Sequence, residues 1–457
     1  MSSPVDLPGR LAEETVDLLR HMIRNECVND GTPESGHEVR NCDLLTGFLE
    51  GPGVEVQTWE PFPGRASLVA RIEGSDPTAP RVCWMGHTDV VPVSPEGWSR
   101  DPFAAELVDG EVWGRGAVDM LNLTSSMAVA FRHLVRTGFR PRGDLIYFAV
   151  ADEEAGGRRG AGWFSEHEYD AIAADYVLTE SGGLPIGAAE PPHLTLTVAE
   201  KGLAWRRLEI HGTPGHGSMP YRADNAVIKA AEVVRRLSAY RPAAYVDDMW
   251  KGQVGAMALD PEIRAALVDP GRVWEGLERI EDPATAKRLH ACTHTTFSPN
   301  LVQGGIKTNV IPDRVVLEVD IRTVPGDGPE EIDAHLREAL GDLADDVTVT
   351  AIHDDRHTCS EVGTPMWDTL AELATEAYRG VQLLPTMTTG GTDARFYRAH
   401  GAVAYGAGLF SRRCTYEHFA NRFHGHDERI DVDSLALTTG LWLGVAERFW
   451  DHAGHAG

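Results

Sequence analysis

The sequence predicts an α/β protein in which a helix-flanked sheet is interrupted by an inserted α+β domain, and three observations predict it. Short apolar runs alternate with amphipathic helical stretches over the first 180 residues, a Gly/Pro-rich segment then breaks the pattern, and the alternation resumes near residue 355. In chain order, "LAEETVDLLRHMIR" reads as a helix, "ASLVARIE" and "RVCWMGH" as buried strands and "SSMAVAFRHLVRTG" as a helix. "DLIYFAVA" and "DYVLTES" follow as further buried strands. Such alternation implies parallel strands joined by helical crossovers. The segment "GGLPIGAAEPPH" is a loop or boundary. Beyond it, "LTLTVAEKGLAWRRLEIHG" looks like long strands, "DNAVIKAAEVVRRLSAY" like an amphipathic helix, and "RVVLEVDIRTVPG" and "DVTVTAIH" like more strands. The expected division is therefore a first domain over 1–195 and 355–457 with an inserted domain over 196–354. The first domain resumes at "MWDTLAELATEAYRG" and closes on the helix "DVDSLALTTGLWLGVAERFW". No internal repeat or low-complexity tract is present.

A chain of 457 residues exceeds one ordinary core, and 42% hydrophobic residues are enough to build two. The 69 acidic residues outnumber 42 Lys and Arg, leaving a net charge of -27, which disfavours nucleic acid and anionic membranes as partners. Six scattered cysteines without C-x-x-C spacing suit reduced thiols. The start "MSSPVDLPGR" has no signal-peptide pattern, and no apolar run reaches membrane-spanning length, so a cytoplasmic protein is expected.

Acidic residues and histidines collect where predicted strands end. "VCWMGHTDVV" carries His87 and Asp89, which alternate geometry places on one face, so that the carboxylate can orient the imidazole. "VWGRGAVDM" places Asp119 before a helix, "FAVADEEAGG" places Glu153 and Glu154 after a strand, and "YVLTES" ends on Glu180. "NRFHGHDERI" places His424 and His426 before the terminal helix. Ligands of open α/β sheets bind at the carboxyl ends of the strands, so these groups can converge on one crevice. Several carboxylates with two imidazoles suit zinc or a similar divalent ion. The excess of ligands over one tetrahedral ion points to two ions sharing a carboxylate, with one Glu left as a base. Singly, each residue has an ordinary structural explanation, such as a charged turn, a helix start or a surface ion pair. "HACTH" (His290, Cys292, His294) imitates a metal site but has no further ligand close by, and is expected to be a solvated loop or strand.

The ordered set "GHTDVVPV", "WSRDPF", "GRGAVDM", "ADEEAGG", "HGTPGHGSMP", "GGIKTNVIPD", "VDIR", "GGTDARF" and "HGHDERI" resembles the zinc-dependent aminoacylase and carboxypeptidase family of metallopeptidases, which includes acetylornithine deacetylase and succinyl-diaminopimelate desuccinylase. "HTDVVPV" with "WSRDPF" is most similar to the aminoacylase and carboxypeptidase S branch. The resemblance runs from about residue 10 to 450. It implies a zinc-peptidase-like sheet with an inserted lid and dimerisation domain, a homodimer through that domain, and two divalent ions: zinc, or cobalt or manganese in its place. It implies that His87, Asp119 and Glu180 bind one ion and Asp119, Glu154 and His424 the other. Asp119 would bridge, with Asp89 behind His87. Glu153 would be the general base, moving a proton from a metal-bound water to the departing amine, and His216 of the inserted domain would stabilise the oxyanion. Asn309, Arg322, Gly391 and Thr392 match substrate-contacting positions, and the fork of Arg322 suits a carboxylate.

Three departures stand out. Leu121 occupies a position where relatives commonly carry lysine. His426 sits where a small residue or proline is usual, leaving His424 and His426 to be told apart. The 93-residue interval from His216 to Asn309 is long, with extra structure expected around "WKGQVGAMALDPEIRAALVDPGRVWEGLERI". The implied activity is hydrolysis of the amide bond of an N-acyl amino acid or short peptide with a free carboxylate. A two-metal phosphoesterase is disfavoured because the chain lacks a basic phosphate cradle. A catalytically silent relative serving as a binding or regulatory subunit is the alternative.

Overall fold

The computed structural model describes residues 9–186 and 191–455. A ten-stranded sheet runs in the order Glu55–Phe62, Arg65–Ile72, Leu145–Val150, Val82–His87, Tyr176–Thr179, Val403–Gly406, His193–Glu200 and Thr358–Cys359. Gln382–Thr388 and Pro185–Ile186 also pair with His193–Glu200. The four central strands, from Leu145–Val150 to Val403–Gly406, are mutually parallel. The flanking strands Arg65–Ile72 and His193–Glu200 run antiparallel to them. The sheet is thus mixed rather than wholly parallel, because apolar run length reports burial on both faces and carries no information on strand direction.

The continuous apolar runs follow from that two-sided burial. Val82 and Trp84 enter one core while Cys83 and Met85 enter the other, and Tyr147 and Phe148 divide in the same way. Helices Gly9–Arg24, Leu121–Thr137, Pro365–Ala377 and Val432–His455 cover the first face, with Trp84 edge-on to Phe131. Truncating Trp84, which is fully buried, would cost about 3–5 kcal/mol. Helix Leu121–Thr137 stops at Gly138, whose φ of 70° only glycine adopts freely and whose N–H caps Leu134 and Val135. Helices Ala161–His167 and Ala394–Ala399 cover the other face through Phe164 and Tyr397.

A second, antiparallel sheet orders Gly202–Leu203, Arg314–Thr323, Arg206–His211 and Val347–Ala351, with Thr296–Gly304 added on Arg314–Thr323. Arg314–Thr323 alternates buried and open positions, and helices Ala226–Ala239 and Pro329–Leu340 cover its buried side. His193–Glu200 belongs to the large sheet throughout, including residues 196–200, which were expected with the inserted segment. A long alternating strand does not disclose which sheet will pair with it.

The extra structure expected around 250–280 consists of four helices: Asp248–Ala256, Pro261–Leu267, Val273–Glu278 and Pro283–Thr293. They close on a small core of their own around Trp250, Leu267, Val273 and Leu289. Three of them start at aspartate caps, Asp247, Asp260 and Asp282, and Pro261 and Pro283 occupy first-turn positions where no N–H is needed. "HACTH" ends the last of these helices and is neither loop nor strand. His294 is fully buried, stacked on His290 with ring centres 4.7 Å apart, so its apolar surroundings make it a core residue rather than a solvated one. Among the described residues no helix is long and apolar enough to cross a membrane, and all six cysteines are free thiols.

Candidate metal centre

Three parallel strands deliver the centre from their carboxyl ends. Val82–His87 ends on His87, Leu145–Val150 leads to Glu153 and Glu154, and Tyr176–Thr179 leads to Glu180. Asp119 arrives just ahead of helix Leu121–Thr137, and His424 from the turn before Arg429–Asp431. The backbone is strained at this convergence. Asp152, Ser181 and His424 all have positive φ, at 73°, 74° and 56°, a region unfavourable to side chains and tolerated where the surroundings impose it.

Asp119 lies between the two imidazoles. Its Oδ1 is 3.1 Å from His87 Nε2 and its Oδ2 is 2.9 Å from His424 Nε2, while Glu154 Oε2 is 3.3 Å from the same His424 nitrogen. Two overlapping sets can hold an ion: His87, Asp119 and Glu154, and His87, Glu153 and Glu180, each with its ligand atoms within 4.8 Å of one another. His87 is common to both, and Glu153 stands among the donors, 4.0 Å from His87 Nε2. His426 points away and packs over Gly97, so of the two histidines only His424 reaches the carboxylates.

The electrostatics of this crevice call for a cation. Burial, reinforced by Glu180, pushes Glu153 well above the carboxylate range, and burial with Asp119 nearby does the same to Glu180. Burial and Asp119 bring Glu154 to about 7. Burial alone would lower both histidines, but Asp119 holds His87 well above its ordinary value, and Asp119 with Glu154 takes His424 to about 10. Asp119 itself lies below its usual range because the hydrogen bonds from His424 and His87 outweigh its burial. Glu154 Oε1 is buried without a hydrogen-bond partner. Packed anions with an unsatisfied oxygen and two imidazoles suit one or two divalent cations, which would supply the missing positive charge.

Asp89 does its work mainly through neighbours other than the one expected. His87 Nδ1 meets the Asp89 backbone carbonyl at 2.9 Å and its Oδ1 only at 3.6 Å. The Asp89 Oδ2 accepts from the Glu154 backbone N–H at 3.1 Å and from Asn29 Nδ2 at 2.8 Å. Asp89 thus positions both a histidine and a glutamate.

The expected substrate residues are placed differently. His216 is exposed on the two-stranded ladder Gly215–His216 with Val310–Ile311, and the exposed Asn309 lies just ahead of that ladder's second strand, its carbonyl accepting from Gly217 N–H. The imidazole of His216 meets Ser218 Oγ at 2.8 Å, and no described hydrogen bond or ion pair joins it to the centre. The fork of Arg322 is engaged by Asp320, at 2.7 and 3.1 Å. Thr392 gives both its N–H and its hydroxyl to Glu200, and Gly391 leaves room for Leu203, so these two hold the loop in place.

Several further residues, given no role by their place in the sequence, shape the centre. Glu428 is fully buried, accepts from Val118 N–H and Asp119 N–H, and pairs with Arg115 at 2.7 Å, which fixes the Asp119 turn. Arg115 and Glu428 lie inside "GRGAVDM" and "HGHDERI", so the stretches were visible but the pairing was not. Asp393 follows Thr392, is raised to about 7 by burial, and has neither carboxylate oxygen hydrogen-bonded. Gly157 approaches so closely that a Cβ there would lie 2.1 Å from Asp393 Oδ1. Asn29, Arg65 and Glu38 form a buried polar chain behind Asp89 and come from a region with no metal-like spacing.

Comparison with known proteins agrees with this geometry. Residues 83–448 match the model of Peptidase family M20/M25/M40. Aminoacylase-1 of Sus scrofa is 27% identical over 429 residues, covering 92% of this chain and 92% of its own. The M20 family metallo-carboxypeptidase Sso-CP2 from Sulfolobus solfataricus superposes with a TM-score of 0.73 at 17% identity, covering 96% of this chain and 99% of its own. A dinuclear metal-binding M20 peptidase of Bacillus subtilis superposes with a TM-score of 0.60 at 15% identity, covering 96% and 98%. The chain belongs to peptidase family M20/M25/M40 and is a metal-dependent hydrolase.

Proposed function

We propose that the protein hydrolyses the amide bond of an N-acyl amino acid or short peptide bearing a free carboxylate, with two divalent ions, zinc in the first instance, at the centre. The observation that carries this reading is the shared position of Asp119, with one oxygen toward each imidazole and Glu153, Glu154 and Glu180 around it. His87, Asp119 and Glu180 would hold one ion, and Asp119, Glu154 and His424 the other. When bound, such ions polarise a carbonyl and acidify water. The protein supplies the rest. Glu153 accepts the proton of the attacking water and delivers it to the amine nitrogen as the C–N bond breaks. Asp89 fixes His87 and the Glu154 backbone, so that these groups need no rearrangement during turnover.

The inserted domain, with His216 and Asn309 at its exposed ladder, would act as a lid bringing an oxyanion donor and a substrate contact to the centre. Arg322 would meet the substrate carboxylate on exchanging Asp320 for it. The exposed Leu301 and Val302 on Thr296–Gly304, with Ile306 just beyond its end, support a homodimer through this edge. The test is elemental analysis beside hydrolysis of N-acetyl amino acids and dipeptides, with chelation and metal return. About two ions per chain and reversible loss of activity are expected. Full activity without metal overturns the reading, and two tightly bound ions with no turnover of any amide favour a silent binding subunit.

A further inference from the structure

A cavity of about 860 Å³ adjoins the centre. Its lining starts at Ser181, one residue past Glu180, and reaches Phe423, whose ring stacks on His424 with centres 4.7 Å apart. One wall comes from the large sheet and its loops, with Leu184, Ile186 and Met387; Phe419 joins Phe423 before the terminal helix. The facing wall comes from the four-helix segment 248–293, through Met257 and Leu259. That wall is anchored at two points. Gln253 Nε2 donates to the Pro385 carbonyl at 3.3 Å. The Lys201 ammonium, 1% exposed, donates to the carbonyls of Ala291 and His294 at 2.9 and 2.7 Å, at the end of the helix that presents Cys292 to the cavity.

The chemistry of the lining is selective. In a chain of net charge -27, no carboxylate is found among the described lining residues, whose only ionic side chains are Arg288 and Arg412. Aliphatic and aromatic side chains interspersed with threonines make up most of the rest. A cationic group entering would leave water to meet two arginines and, among the described lining residues, no carboxylate, whereas an apolar chain would be favoured by burial.

We infer that the 248–293 segment forms a specificity wall, with Met257 and Leu259 as its determinants, for an extended apolar acyl arm of the substrate. This inference rests on the proposed amide hydrolysis. An amide substrate has two arms, and on that reading the amine arm carries the carboxylate toward Arg322 and Asn309. Neither residue lines the cavity, so the acyl arm is the one left to fill it.

The test measures kcat/KM for one amino acid carrying acetyl, octanoyl, dodecanoyl and 8-aminooctanoyl groups, and for N-acetyl derivatives of amino acids with lengthening side chains. Dodecanoate and acetate binding is measured by calorimetry as a readout independent of turnover. For the unaltered enzyme, dodecanoyl should exceed acetyl by roughly 100-fold, the gain that three to four fully buried methylenes supply at about fourfold each. The 8-aminooctanoyl substrate should fall below octanoyl. Met257→Glu should lower dodecanoyl turnover and dodecanoate binding by about tenfold or more, leave acetyl turnover within about twofold, and narrow the gap between the aminated and plain octanoyl substrates. Retained acetyl turnover shows that the variant folds, and Leu259→Ala gives a second, milder loss on the long chain. Acetyl turnover with no gain from acyl length overturns the inference alone, as does a length dependence that follows the side chain instead. Absence of all amide turnover overturns the hydrolase reading, and dodecanoate that binds no better than acetate, or equally to Met257→Glu, overturns the cavity assignment independently of it.

Discussion

Two pairs of nearby histidines occupy this molecule in opposite electrical surroundings. His290 and His294 stack at the end of a helix in the inserted region, where burial, with His290 beside it, holds His294 down at about 4. His424, two residues from His426, faces Asp119 and Glu154, which overcome its burial and raise it to about 10. Spacing within the chain is thus a poor guide to metal binding. An imidazole becomes a ligand where carboxylates from other strands share its space, and a core ring where they do not. Among the described residues, both candidate ion-holding sets lie among the carboxylates around His87, beside His424, and none lies at His290 and His294.

The largest effects are expected at the carboxylates that distinguish the two regions. Glu153→Gln should lower kcat by ~10²- to 10⁴-fold with both ions retained, because the variant keeps shape and loses the proton acceptor. Glu154→Gln should release an ion more readily and regain part of its activity at high metal concentration. Metal stoichiometry and rate across a metal titration decide between them. If Glu153→Gln loses the ion and Glu154→Gln keeps it, the assignments are reversed.

The histidines themselves come next. His424→Ala should weaken metal affinity by roughly 10- to 100-fold, read by competition with a chromophoric chelator, whereas His294→Ala should leave it unchanged. Equal effects would abolish the distinction drawn between the two regions.

A smaller effect concerns pH. The unfolded chain protonates a histidine near 6.5 while folded His294 resists until about 4, so the unfolded state binds more protons between those values. The contribution of His294 to stability is therefore complete above 6.5 and is lost as pH falls toward 4, by on the order of 1 to 2 kcal/mol. His294→Phe should flatten the fall in urea midpoint across that window. An unchanged slope would show that the ring titrates freely in the folded state.

The smallest effect is expected at His426, which packs over Gly97 away from the carboxylates. His426→Ala should change metal affinity and kcat/KM by less than about threefold, within the range of ordinary surface changes. A tenfold loss in either would return it to the ligand set.

The helix-flanked sheet was legible in the chain, which also nominated the candidate ligands and an inserted segment. Apolar runs and strand-end polar residues are local patterns, and the carboxyl ends of parallel strands gather wherever the sheet places them. The sequence also determined that 248–293 would carry additional structure, through aspartate caps and first-turn prolines written into the chain. Tertiary structure alone decided which sheet took His193–Glu200, that His424 rather than His426 reached Asp119, and that Asp89 held Glu154 as well as His87. It alone engaged Thr392 with Glu200 and brought Glu428 from some 300 residues away to fix the Asp119 turn. These outcomes depend on distances between groups far apart in the chain. The periodicity of a segment reports which of its faces is buried, but carries no information about what it is buried against.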